Sequence, residues 1–148
     1  MRATAGFDGK LLLSVTGVLE AVTALGLIVA PATLVELLLG AAIGTDAGVT
    51  VSRVAGVAVL ALGIACWLAR DDAASRAATG LIAAMLLYNL GVAVILVLAW
   101  TGAGLAGIVF WPVVLGHAAL AAWCVACLLT HRHAKMSRGA SNASIPGG

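Results

Sequence analysis

Apolar residues along this chain gather into four long runs, at about 11 to 30, 47 to 69, 75 to 99 and 107 to 130, with polar residues confined to the gaps and to a few interior positions. Each run has about 20 residues or more, and at a rise of ~1.5 Å per residue such a helix crosses the roughly 30 Å hydrocarbon core of a bilayer. The expected fold is all-α: a four-transmembrane-helix bundle over residues 11–130, after a short N-terminus (1–10). The tail "HRHAKMSRGASNASIPGG" (131–148) loses the apolar pattern and is expected to be disordered.

The gaps carry their own signals. In "PATLVELLLGAAIGTDAG", Thr33 and Glu36 have capping-box spacing and Gly40 suits a helix end. This predicts a short helix at about 34–39, whose Leu34, Val35, Leu37, Leu38 and Leu39 belong at the membrane interface. Thr45 or Asp46 then caps the second span, and "RDDAASR" forms a tight turn into the third. Ala30, Pro31 and Ala32 mimic a signal-peptide cleavage site. The run before them is longer than an h-region and contains an acid, so it is expected to be retained as a span.

Composition agrees with the pattern. Of 148 residues, 63% are hydrophobic and 9% charged, and the mean hydropathy is +1.15. Those values belong to a bilayer protein, and with four spans taking up roughly half to two thirds of the 148 residues no soluble catalytic domain is expected among them. A net charge of +2, with no basic stripe interleaved with aromatics, excludes a nucleic-acid partner. The bilayer itself is the expected environment.

Basic residues set the orientation. An even number of spans puts the N-terminus, the 70–76 turn and the tail on one side, which holds Arg2, Lys10, Arg70, Arg76, Arg132, Lys135 and Arg138. Only Arg53 lies elsewhere, inside the second span. The positive-inside rule then places both termini in the cytoplasm. Trp67 and Trp123 fall near the cytoplasmic ends of their spans, Trp100 and Trp111 near the opposite ends, the places of interfacial anchors.

A few polar residues sit at depth. Glu20 is central in the first span, Tyr88 and Asn89 in the third, His117 in the fourth, all within about 3 Å of one level by helix rise. Arg53 lies roughly 6 Å short of that level by the same rise, within reach of an arginine side chain. A charged acid at mid-membrane costs at least about 2.5 kcal/mol, so Glu20 should be paired or face a polar interior. Thr16, Gly17, Thr23 and Ala24 form a small and polar stripe around it. Gly56, Leu60, Gly63 and Trp67 form a packing face below Arg53, and Gly116 and a helix-bending Pro112 flank His117. The expected arrangement is a polar midplane cluster of Glu20, Arg53, Tyr88, Asn89 and His117, with Arg53 as counter-ion to Glu20. One reading makes the cluster a structural clasp that fixes helix register. The other makes it the lining of a cavity or a proton-accepting site.

Other motifs carry less. "CVAC" places Cys124 and Cys127 at dithiol spacing, with Cys66 at a similar depth. In that spacing the last span resembles the vitamin K epoxide reductase family, although its dithiol faces the oxidising side and this one lies by the cytoplasm. Apolar packing is the plainer account. "GAGLAG" matches GxGxxG but joins two spans and not a strand and a helix, so it is no nucleotide site. His117 could ligate haem with Met85 or a tail histidine, on one mid-span residue alone. No metal motif is present, and the sequon at Asn142 lies in the cytoplasmic tail.

The stretches "APATLVELLLG", "SRVAGVAVLALGIACWLARDD", "LLYNLGVAV" and "FWPVVLGHAALAAWC" together resemble a group of uncharacterised small bacterial four-span inner-membrane proteins. The span count, the proline-ended first span with its interfacial helix and the Arg-x-x-Gly opening of the second span are similar in architecture to DoxX-like membrane proteins. That resemblance implies an association with quinone or a larger respiratory assembly and carries over no catalytic residue. The small multidrug exporters share only the membrane glutamate of the first span, and an intrabundle Arg53 would oppose their cationic substrates.

The sequence therefore favours a non-enzymatic accessory or ligand-binding subunit that holds quinone, lipid or a partner's helix, alone, as a homo-oligomer or within a larger membrane complex. A proton-coupled transporter using Glu20 is the first alternative. A quinone-linked membrane thiol oxidoreductase is the second. The sequence names no cofactor.

Overall fold

Helix α1 (Arg2–Val29) is the first element of the computed structural model, which describes the backbone of residues 2–143 and the side chains of residues 9–132. It stops at Ala30 because Pro31 disfavours a helical residue before it and brings no N–H. The same proline starts α2 (Pro31–Leu39), with Ala30 as N-cap and no side-chain capping bond. The expected capping box is not made: Thr33 and Glu36 lie inside a helix that begins three residues earlier, where a first-turn proline leaves little for a side chain to cap. Gly40 closes α2 in the left-handed region at φ 70°, its N–H donating to the Glu36 carbonyl.

Helix α3 (Asp46–Ala69) is capped by the Thr45 hydroxyl, which accepts from the Gly48 N–H at 3.0 Å. A single 3-10 turn (Arg70–Asp72) leads to α4 (Arg76–Ala103), capped by Ser75. Helix α4 runs past the expected stop at 99 and ends where Gly104 takes φ 67°. Helix α5 (Phe110–Ala143) starts three residues later than expected and continues past 130. The expected disordered tail is thus helical over 131–143, with helix formers at Ala134, Lys135 and Met136; 144–148 lie outside the described residues.

The protein is all-helical among the described residues, and four segments are long and apolar enough to cross a membrane: Gly9–Val29, Asp46–Asp72, Arg76–Ala103 and Phe110–Arg132. Their outer faces carry apolar side chains such as Val51, Val57 and Leu68 on α3 and Leu87 and Ile95 on α4, all largely exposed. A contiguous surface of that kind is suited to lipid.

The bundle consists of two helix pairs, α1 with α3 and α4 with α5, and contact between the pairs is thinner. Small residues explain the first pair. A β-carbon on Gly63 would lie 3.0 Å from the Gly17 carbonyl oxygen, and one on Gly56 would lie 3.1 Å from that of Ala24. The two backbones meet where a side chain would hold them apart. Apolar clusters close the interior at two levels. One joins Leu12, Leu13, Cys66, Ile82, Met85 and Cys124; the other joins Leu96, Phe110 and Val114. Glu20, Tyr88, Asn89 and His117 fall between them along α1, α4 and α5.

Helix α2 packs against α1, α3 and α5 and is held by the 104–109 loop. The N–H groups of Gly107 and Val109 donate to the carbonyls of Leu38 and Leu37 at 2.9 and 3.1 Å, filling acceptors that a helix end leaves open. Gly107 is obligatory here, since a β-carbon would fall 2.1 Å from the Leu37 oxygen. The glycines of "GAGLAG" thus end α4 and admit α2. At the opposite end of the bundle, Lys10 reaches Asp71 at 2.6 Å across an exposed surface, where water and salt screen such a pair and it adds little to stability.

Candidate functional site

Glu20 is 3% exposed, a carboxyl inside a bundle whose neighbours are mostly carbon. Its contact is a phenol: the Tyr88 hydroxyl donates to Glu20 Oε2 at 3.1 Å across the seam between the helix pairs. Next to Tyr88, the fully buried Asn89 donates from Nδ2 to the Met85 carbonyl at 2.7 Å. Its Oδ1 lies 2.7 Å from Nδ1 of His117 on α5. The Tyr88 and His117 rings meet edge to face, with centroids 5.8 Å apart, a preferred aromatic geometry. Glu20, Tyr88, His117 and Asn89 therefore form one chain of contacts across α1, α4 and α5.

Arg53 does not join it. The side chain is exposed, and its Nε donates at 3.2 Å to the carbonyl of Ile28 in the last turn of α1. Ile28 stands eight residues beyond Glu20, about 12 Å by helix rise. The open carbonyls and negative pole of a helix C-terminus offer the guanidinium an acceptor closer than the acid. The expectation that Arg53 is the counter-ion of Glu20 is corrected accordingly. At the Glu20 level α3 contributes Gly63, whose added β-carbon would come within 3.2 Å of Glu20 Cβ.

A cavity of about 430 Å³ opens beside the acid, within the size range of small-molecule sites. Glu20, Tyr88 and His117 supply its polar surface together with Thr23, and aliphatic side chains including Leu19, Leu34 and Leu38 supply the rest. Helix α2 forms part of its wall, a role that the sequence did not reveal although the apolarity of Leu34 and Leu38 signalled burial against something. Pro112 and Gly116 also line it. Because α5 begins at Phe110, Pro112 lies in the first turn, where its missing N–H would have no helical partner, so the expected bend through a freed carbonyl has no basis.

The remaining candidates lie elsewhere. Cys66, Cys124 and Cys127 are buried in the apolar cluster with Leu12 and Ile82 and do not line the cavity. Met85 is in that cluster too, apart from His117, so these two do not share a pocket that could hold haem. Among the described residues no group of three His, Cys, Asp or Glu side chains could hold a metal. Trp100 and Trp111 stack edge to face at 5.1 Å near one end of the bundle. Near the other, Trp67 lies under the Arg70 guanidinium at 3.9 Å and Trp123 packs against the cysteine cluster.

No family model matches the chain, and no curated protein or solved structure matches it either.

Proposed function

We propose that this integral membrane protein is a ligand-binding or accessory subunit of a bacterial inner membrane, with both termini cytoplasmic, that holds a small amphipathic molecule such as a lipid or quinone in the cavity between its helix pairs. The single observation that supports this reading is the cavity itself, apolar over most of its wall and polar where Glu20, Tyr88 and His117 converge. Bundle proteins place ligand sites between helices in that way. A structural clasp needs the hydrogen bonds but not the space beside them. The kinship in architecture with DoxX-like proteins remains part of the proposal, as does assembly with a partner subunit. Native mass spectrometry after mild-detergent purification tests it. The wild-type chain is expected to retain a bound amphiphile that is lost in Gly116→Leu, a change that adds volume where an added β-carbon meets nothing within 4 Å. Identical spectra from both proteins would remove the reading.

A second reading, proton-coupled transport, is favoured by one observation: among the described residues, Glu20 is the one acid lining the cavity. It requires pH-driven flux in proteoliposomes that Glu20→Gln abolishes while folding is unchanged.

A further inference from the structure

The head group that this cavity accepts can be read from hydrogen-bond polarity and charge, and the step rests on the ligand-binding reading above. Asn89 fixes the polarity. The Met85 carbonyl can only accept, so the Asn89 atom 2.7 Å from it must be the amide nitrogen. Oδ1 therefore faces His117 Nδ1 at 2.7 Å, and since Oδ1 can only accept, Nδ1 carries the proton. In the neutral ring Nε2 is then a bare acceptor. It is the nitrogen that His117 has left to offer a ligand. On the other side, the Tyr88 hydroxyl gives its one proton to Glu20 Oε2 and so is not a donor to anything in the cavity.

Charge points the same way. Among the described residues, Glu20 is the one ionisable acid that lines the cavity, and no lysine or arginine lines it. Arg53, the nearest cation on the neighbouring helix, is engaged at Ile28 on the far turn of α1. An anionic head would meet a carboxyl with no compensating cation. A quinone carbonyl, an acceptor only, would meet the His117 lone pair. An ammonium supplies several N–H donors at once and the positive charge that the carboxylate lacks.

We propose that the cavity binds an amphiphile with a primary ammonium head and an aliphatic body, the head between Glu20 and His117 Nε2 and the body along the leucines of α1 and α2. Asn89 is a positioning residue that acts through the His117 tautomer.

Four ligands with one tail isolate the head: decylamine, decanol, decanoate and a decyl-substituted benzoquinone, each titrated into the full chain in detergent and read as one-to-one complexes by native mass spectrometry. Decylamine is expected to bind roughly tenfold or more tightly than the other three. Glu20→Gln is expected to remove that preference, so that decylamine binds no more tightly than decanol to the variant. If Glu20→Gln does not fold, His117→Phe replaces it as the variant, with a smaller preference for decylamine expected because the Nε2 acceptor is gone while the carboxylate stays. Equal or tighter binding of the quinone or of decanoate would overturn the ammonium assignment and leave the cavity as a ligand site. Failure of all four to bind, with no difference between wild type and Gly116→Leu, would overturn both.

Discussion

At the scale of single residues, the polar layer behaves as a directed chain and not as an ion pair. Tyr88 satisfies one oxygen of Glu20 with a neutral donor, and Asn89 orients His117. Both contacts cross between helices in a medium where a hydrogen bond contributes about 0.6 kcal/mol and at most roughly 1.7 kcal/mol, so their value lies more in orientation than in stability. This leads to a spectroscopic expectation. Nitrogen-15 chemical shifts of His117 should show a protonated Nδ1 and a bare Nε2 in the wild type. In Asn89→Leu the acceptor is lost, and the ring should shift toward the other tautomer with a stability change of no more than about 2 kcal/mol. A wild-type spectrum with the proton on Nε2 would contradict the assigned geometry.

Elements show where sequence reasoning reached and where it stopped. The four spans were legible because a bilayer demands long apolar runs, and the common depth of Glu20, Asn89 and His117 followed from the regular rise of a helix. The partner of Arg53 was not legible. Its acceptor is the backbone carbonyl of Ile28, which every residue possesses and no side chain announces. The position of α2 was also hidden, because hydropathy reports apolar surroundings without telling lipid from protein. The start of α5 was missed since Ile108 and Val109 are apolar, whereas the backbone of this loop is committed to Leu37 and Leu38.

Two substitutions test these elements. Gly107→Ala drives a methyl into the Leu37 carbonyl and should cost about 1 to 3 kcal/mol, seen as a lower unfolding temperature in detergent. Stability equal to wild type would mean that α2 is not clamped by the loop. Arg53→Ala should cost no more than about 1 kcal/mol, the worth of a charge at an exposed helix terminus, and should leave ligand retention intact. A loss of several kcal/mol would restore Arg53 as the partner of a buried acid.

For the whole molecule, the division into two helix pairs explains why a cavity exists. Glycines draw α1 and α3 together until backbone meets backbone, while α4 and α5 are joined through Asn89, His117 and the paired tryptophans. One apolar cluster joins α1, α3, α4 and α5 on one side of the polar layer, a second joins α2, α4 and α5 on the other, and α2 covers the flank. Glu20, itself 3% exposed, thereby faces the cavity walled by α1, α2, α4 and α5 and not the outer surface of the bundle, which is the claim on which the account depends. Labelling with dicyclohexylcarbodiimide, a hydrophobic reagent for membrane-buried carboxyls, tests it most directly. Mass spectrometry should find Glu20 modified in the wild type and protected in Gly116→Leu, where the added side chain fills the approach from α5. Equal labelling of the two proteins would contradict the account, because an acid exposed to lipid would be reached whatever occupies position 116.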